Sequence, residues 1–243
     1  RTTSSAASDV YKRQKEPKNK LIDYLGWHKQ NKDYFFVGLP LLSGRLSGKK
    51  KSLIRDLVEE NDLNLRLTPN QDILLCNIPN KNKSKIKKAL KKIGYDNLND
   101  INEIQRHALA CPALPLCGLA MTEAERILPE VLTRIENLLT DMNIEKTILF
   151  RMTGCPNGCT RPYMAELALV GSGQNKYQLW LGGSKNLQRL AKPYLQRMEL
   201  DDLEKTIQPL LEFWKKSSAK NDFGDFINNQ KESFITNLLS EIN

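Results

Sequence analysis

Short apolar runs broken by Gly, Pro and Asn in LIDYLGWHKQNKDYFFVGLPLLSGRLSG, from Leu21 onward, predict strands joined by turns. Over Ser52–Glu60 the pattern changes: Leu53, Ile54, Leu57 and Val58 take the spacing of one helix face. LNLRL and DILLCNI then flank the turn former TPNQ, which predicts a hairpin. The stretch KNKSKIKKALKKIG follows as a helix with Ile86, Leu90 and Ile93 turned inward and lysines in solvent. Strand, helix, hairpin and helix in that order suit a small α+β sandwich, and the polar segment Asp96–Asn102 reads as a connector.

Beyond the connector, Thr122 and Glu125 in TEAE match a capping box. They predict a helix from about Glu123 through Ile127, Leu128, Val131, Leu132, Ile135 and Leu138, with a kink or restart at Pro129. TILFR reads as a buried strand that delivers Arg151 and the residues after it. ELALVG and YQLWLG, separated by Ser172–Lys176, form a second strand pair, and Leu203–Trp214 a late amphipathic helix. The FGDF segment and the tail after it carry a weaker signal. The resulting division is a polar, period-free tail over 1–17, read as disordered or non-native, a first unit over 18–98 and a second over 99–243.

Composition narrows the class. A chain of 243 residues with 40% hydrophobic content can bury one large core or two smaller ones. No apolar run reaches the ~18 residues of a membrane span, and no secretory signal pattern is present, so no membrane partner is expected. The formal charge of +9 is concentrated in Lys49–Lys51 and in seven lysines between Lys81 and Lys92. Such an excess suits an acidic partner, although a run like the second is most often the solvated face of a helix. Aromatic residues do not interleave with these lysines, so nucleic acid is not expected as a primary partner.

Cysteine changes the picture most. Four of the five cysteines fall in two clusters, Cys111 and Cys117 in ACPALPLC and Cys155 and Cys159 in GCPNGC. An odd count in a chain of this length favours metal ligation in a reducing compartment over a disulfide framework. Four thiolates wrapping an iron-sulfur cluster need backbone freedom, which Gly154 and Gly158 provide, and N–H donors around the sulfurs. A zinc site of four cysteines is the alternative, and unligated buried thiols a third; the first pair is spaced too widely for a zinc knuckle. Cys76 reads as a small buried hydrophobe, and His28 and His107 as structural residues, with His107 only four residues ahead of Cys111.

The segments ACPALPLCGLAMTEAER and RMTGCPNGCTRPYMAELALVG, in that order, resemble the sulfite reductase hemoprotein family, most closely its ferredoxin-dependent form. The resemblance extends through GWHKQNKDYFFVGLPLLSGRL, TPNQDILLC, YQLWLGGS and FGDF and covers nearly all of residues 20–230. It implies an α+β chain: a ferredoxin-like half-domain followed by an α/β siroheme and 4Fe-4S binding domain. It implies a 4Fe-4S cluster on Cys111, Cys117, Cys155 and Cys159, with Cys159 also bridging to the iron of siroheme. Siroheme carries eight carboxylates and needs cationic and amide donors, for which Asn157, Arg151 and Arg161 are the candidates; for the two arginines a structural salt bridge is the competing role.

The implied reaction is six-electron reduction of sulfite to sulfide with ferredoxin as donor. Nitrite reduction on the same cofactors, an NADPH-linked sulfite reductase, and a non-enzymatic zinc or cluster module that docks an acidic partner are the alternatives. No catalytic residue is assigned, because the resemblance places the groups that clasp sulfite in an amino-terminal half that this sequence does not contain. The chain therefore reads as a carboxy-terminal fragment, inactive alone, whose partners are ferredoxin, sulfite and that missing half. Its expected location is a bacterial, cyanobacteria-like cytoplasm, with plastid stroma as the alternative.

Overall fold

The computed structural model describes residues 23–98, 101–217 and 221–240. The expected disordered tail over 1–17 lies outside them, and the boundary expected at 98/99 falls beside residues 99 and 100, also outside. Among the described residues no helix is long and apolar enough to cross a membrane.

The first unit opens with an antiparallel pair, β1 (Gly26–Lys29) and β2 (Tyr34–Leu39). The turn between them is closed by Asn31, whose Oδ1 accepts from the Asp33 and Tyr34 N–H groups, both at 3.0 Å. Helix α1 (Gly48–Glu60) begins earlier than its apolar period suggested and takes the whole Lys49–Lys51 run into its first turn. Strands β3 (Asn64–Leu67) and β4 (Ile73–Pro79) form the expected hairpin, its turn tied by the Thr68 hydroxyl, which accepts from the Asn70 and Asp72 N–H groups. Helix α2 (Lys83–Lys92) follows.

The sheet runs β1-β2-β4-β3, antiparallel throughout. Alternate positions Val37, Leu39, Ile73 and Leu75 bury against Ile54 and Leu57 of α1 and Ile86 and Leu90 of α2. Cys76 is buried in β4, and burial raises its thiol pKa, as suits a small hydrophobe. His28 stacks on Phe36 and donates from Nε2 to the Leu25 carbonyl.

The second unit starts with the short helix α3 (Glu103–His107), capped by Asn102, and strand β5 (Leu109–Ala110). The helix expected from Glu123 begins instead at Leu128, as α4 (Leu128–Asp141). The Thr122 hydroxyl is not a cap; it donates to the hydroxyl of Tyr177 at 3.0 Å, and Glu125 is drawn to Arg45 of the first unit. Pro129 consequently sits in the first helical turn, where its missing N–H is not needed, and neither kinks nor restarts α4.

Strands β6 (Phe150–Thr153), β7 (Leu167–Gly173) and β8 (Lys176–Leu181) follow, β7 and β8 being the expected pair. Strand β9 (Lys192–Glu199) had no counterpart in the sequence reading: it is a half-exposed edge strand that holds Pro193 and lacks a clean apolar alternation. Helices α5 (Leu203–Lys216), α6 (Phe223–Asn228) and α7 (Glu232–Ser240) complete the chain.

The second sheet runs β5-β6-β7-β8-β9, parallel across the first three strands and antiparallel across the last three. Apolar faces of α4, α5 and α7 bury Phe150, Met152, Leu167, Leu169 and Leu179 on one side. The opposite side has only a small cluster of Leu149, Ala165 and Ala168, packed against Trp180 and Leu187. Loops after β6 and β8, rather than helices, lie over that side, and the first of them carries the second cysteine pair.

Candidate metal and cofactor centre

Both cysteine pairs sit at one end of the second sheet because the two strands that deliver them are adjacent and parallel. β5 leads directly into Cys111 and β6 into Cys155, with Leu109 opposite Arg151 and Ala110 opposite Met152. The loops are then joined to each other. The Gly154 N–H donates to Cys111 Sγ at 3.3 Å, and the Gly154 carbonyl accepts from the Met121 and Thr122 N–H groups at 2.8 and 3.3 Å. A Cβ on Gly154 would lie 2.7 Å from both the Ala113 side chain and the Thr122 carbonyl, and one on Gly171 of β7 would lie 2.3 Å from the Gly154 carbonyl. Glycine is required at both positions by close approach of backbones.

The second loop is further clamped. Thr153 donates from its hydroxyl to the Cys155 carbonyl and Thr160 to the Met152 carbonyl, each at 3.0 Å. Tyr163 donates to the Pro156 carbonyl at 2.5 Å, lays its ring against Gly158, and meets Trp180 edge-on with ring centroids 4.5 Å apart. The first loop has a local frame, with the Cys117 N–H bonded to the Ala113 carbonyl at 2.7 Å and the Glu125 N–H to the Cys111 carbonyl at 3.1 Å.

Cys111 and Cys155 are buried, Cys117 is half-buried and Cys159 is exposed beside the exposed Asn157. Burial raises the Cys111 thiol pKa; N–H groups of Gly154 and Ala113 oppose that, and the nearby Cys159 and Cys155 sulfurs add to it. Those mutual influences place Cys111 within electrostatic reach of the second pair.

Among the described residues no three Cys, His, Asp or Glu side chains are gathered tightly enough to chelate one ion. The donor set of four thiols with an N–H already directed at one sulfur fits a cluster.

Arg151, in β6, is fully buried four residues before Cys155. Its Nη1 donates to the Arg161 carbonyl at 3.2 Å, while Nε and Nη2 are buried without a partner. Burial, with the Arg161 charge beside it, brings the guanidinium down to about 10. A buried cation with two unpartnered nitrogens and no counter-ion among the described residues is costly, and fits an anionic group supplied by a ligand.

Arg161 is differently engaged. It takes a left-handed backbone conformation (φ 57°), and its Nη2 donates to the Pro69 carbonyl at 2.9 Å. Among the described residues neither arginine forms the salt bridge that was their competing role. His107 closes α3 with Nδ1 buried and unpartnered, and burial lowers its pKa.

The first unit touches this centre with two segments, the 68–72 turn and the stretch that carries Arg45. Pro69 meets Arg161, the Gln71 side-chain amide donates to the Ala110 carbonyl at 2.9 Å, and Arg45 pairs with Glu125 through both carboxylate oxygens, Nη2 to Oε2 at 2.7 Å. The 68–72 turn therefore braces both cysteine loops. Sequence reasoning missed Tyr163, Thr153 and Tyr177 as supports; Gly171, a glycine inside an apolar strand, was a signal of close backbone approach beside Gly154.

Residues 28–93 match the family model of the nitrite/sulfite reductase ferredoxin-like half domain. The ferredoxin-type sulfite reductase of Synechococcus elongatus is 47% identical over 210 residues, covering 84% of this chain and 34% of that protein. The NADPH sulfite reductase hemoprotein beta-components of Oceanobacillus iheyensis and Methylocella silvestris are 36% and 37% identical, each covering 84% of this chain and 36% of the relative. The chain thus spans about a third of the length of these relatives. The solved structure of Mycobacterium tuberculosis NirA shares the fold, with a TM-score of 0.73 at 22% identity over 94% of this chain and 45% of that one. Dissimilatory sulfite reductase I follows with 0.54 at 10% identity, over 85% and 69%. The resemblance stated from the cysteine segments therefore holds: the chain is related to the sulfite reductases, and its α+β class with a ferredoxin-like half-domain is as expected.

Proposed function

We propose that this chain, a relative of the sulfite reductases, is the cluster-bearing part of a ferredoxin-dependent enzyme that reduces sulfite to sulfide. The observation that carries the reading is the junction of the two cysteine loops through Gly154, beside a buried arginine that lacks an anion. Cys111, Cys117, Cys155 and Cys159 would hold a 4Fe-4S cluster, with the exposed Cys159 also bound to siroheme iron. Together these groups supply one-electron storage and delivery for SO₃²⁻ + 6e⁻ + 8H⁺ → H₂S + 3H₂O.

The chain's own residues do the holding. Gly154 donates to Cys111 Sγ and favours its thiolate form, and the clamps on residues 153–163 keep Cys155 and Cys159 at fixed positions on the loop. The unpartnered Nε and Nη2 of Arg151 would take a siroheme carboxylate, and Asn157, exposed next to Cys159, presents an amide at the same surface. The 68–72 turn ties the two loops together through Gln71 on the Ala110 carbonyl and the Pro69 carbonyl on Arg161.

The 47% identity to the ferredoxin-type protein, against 34–37% to the NADPH-type components, favours ferredoxin as donor and a cytoplasmic setting like that of a cyanobacterium. Groups that clasp sulfite would come from a further portion of a protein about three times as long. The test is to co-express this chain with the remaining portion of the Synechococcus-type enzyme, supply reduced ferredoxin, and assay sulfide from sulfite and ammonia from nitrite. Sulfide formation that is lost with Cys159→Ser, along with the heme spectrum, is the expected result. Ammonia formed in preference to sulfide transfers the assignment to nitrite, and a colourless complex with zinc overturns it.

A further inference from the structure

Both cysteine loops and the second sheet meet at Thr122. Its N–H donates to the Gly154 carbonyl at 3.3 Å, its carbonyl accepts from the Leu114 N–H of the first loop at 3.3 Å, and its hydroxyl donates to the Tyr177 hydroxyl at 3.0 Å. Its methyl rests on β7, since a Cβ on Gly171 would lie 2.8 Å from it. Thr122 is buried, and every polar group it carries is used to join one part of this centre to another.

Tyr177 answers from the sheet. It stands near the start of β8, opposite Gly171 of β7 and Met198 of β9, and is fully buried. Its hydroxyl accepts from Thr122 and donates to the Glu123 carbonyl at 2.8 Å, so it grips two consecutive residues of the segment that closes the first loop. Burial, above all, pushes that hydroxyl up to about 12, and it keeps the proton it donates. The core around it is apolar, including Leu179, Leu181 and Met198. Packing alone would be served by Phe, without the cost of burying a hydroxyl.

The connection continues to a sulfur. Gly154, whose carbonyl is held by the N–H groups of Met121 and Thr122, donates its own N–H to Cys111 Sγ at 3.3 Å. The Glu125 N–H, two residues beyond Glu123, holds the Cys111 carbonyl at 3.1 Å. Displacing residues 122–125 would therefore disturb Cys111 at its sulfur and at its backbone together.

We propose that the hydroxyl pair of Tyr177 and Thr122 is a latch that positions the first cysteine loop and holds Cys111 against the Gly154 N–H. The purpose of that placement, cluster binding, rests on the function proposed above. Both are positioning residues, acting on Cys111 through Gly154 and the 122–125 segment. The latch fixes the root of the first loop and leaves the exposed stretch around Leu116 and Leu119 to close onto the metal.

The test is the rate at which iodoacetamide alkylates Cys111 in the metal-free full chain under native conditions, read by peptide mass spectrometry with the buried Cys76 as internal reference. The variants are Y177F, T122V, T122S and the double variant Y177F/T122V. W214F is the control, deleting a buried indole hydrogen bond to the Asn221 carbonyl elsewhere in the second unit. Y177F should speed alkylation of Cys111 relative to Cys76 by roughly fivefold or more, and T122V should act in the same direction. The double variant should be no faster than Y177F, because the two hydroxyls form one chain. T122S, which keeps the hydroxyl, should stay near wild type, and W214F should leave the ratio unchanged. After anaerobic reconstitution with iron and sulfide, Y177F should also lose its cluster to a chelator several-fold faster than wild type or T122S. An unchanged Cys111 to Cys76 ratio in Y177F and T122V, or T122S as fast as T122V, overturns the latch and leaves the cluster standing. Wild type that forms no cluster overturns the proposed function, while the alkylation rates still decide the latch.

Discussion

The two cysteine loops lie side by side and are built to different standards. Residues 154–163 are fixed by the close approach of Gly154 and Gly171, by the Thr153 and Thr160 hydroxyls, and by Tyr163 wedged against Gly158 and Trp180. Residues 111–121 are held mainly by a few backbone hydrogen bonds and expose Leu116, Leu119 and Met121 to solvent, at 68%, 70% and 44%. The loop that carries the exposed Cys159 is thus rigid, and the loop that carries Cys117 is the adaptable one. A four-point ligand set can be assembled this way, with one pair preset on the sheet and the other closing onto the metal, at lower ordering cost than two loose pairs.

The contrast is broken most severely at Gly171. Its replacement by Ala sets a methyl against the backbone of Gly154, which has no flexible end to yield, so a loss of about 3 kcal/mol or more is expected in urea unfolding of the chain. Equal stability of the variant would show that the second loop can shift, and that the rigidity described above is not real.

Glu166 supplies the next effect. It lies fully buried behind the second loop, accepting from the Leu149 and Gly224 N–H groups at 2.8 and 2.9 Å. Burial raises its carboxyl from 4.5 to about 7, against the pull of those two N–H groups and Lys185. The folded chain therefore binds this proton more tightly than the unfolded one. The contribution is complete below about pH 4.5 and is lost as pH rises through about 7. Asp72, raised from 3.8 to about 6 chiefly by burial, acts in the same direction. The difference in stability between wild type and Glu166→Gln, measured from pH 4 to 8, should accordingly change by a few kcal/mol, wild type losing stability faster. A difference that stays constant with pH would assign the dependence to Asp72 or elsewhere.

Tyr163→Phe sharpens the comparison on a smaller scale. It keeps the ring against Gly158 and Trp180 and removes only the bond to the Pro156 carbonyl, for about 1 kcal/mol in thermal unfolding. The smallest effect belongs to the first loop: Leu116→Ser with Leu119→Ser should change stability by less than about 0.5 kcal/mol, because both side chains are already in water. A large loss there would reveal packing of these leucines that their exposure does not show.

What could be read from sequence follows the range of the forces involved. The β3–β4 and β7–β8 pairs and the helices α1, α2 and α5 were legible because an apolar period and a turn are local facts. The start of α4 was misplaced because Thr122 found Tyr177, 55 residues away, in place of the helix N-terminus. β9 was missed because an edge strand with little burial carries no alternation to find. In the candidate centre, cysteines and glycines stood out through their chemistry, and Arg151 through its place before Cys155. The supports Tyr163, Thr153 and Tyr177 have ordinary side chains whose importance lies in what folding sets beside them.

Most direct for the central claim is anaerobic reconstitution of the full chain with iron and sulfide, followed by metal and acid-labile sulfide analysis and an absorption spectrum, for wild type and for the four single Cys→Ser variants. Roughly four iron and four sulfide per chain in a brown protein, reduced in every variant at positions 111, 117, 155 and 159 and unchanged in Cys76→Ser, is the predicted result. One zinc per chain without colour, or full cluster content in any of the four variants, would contradict it.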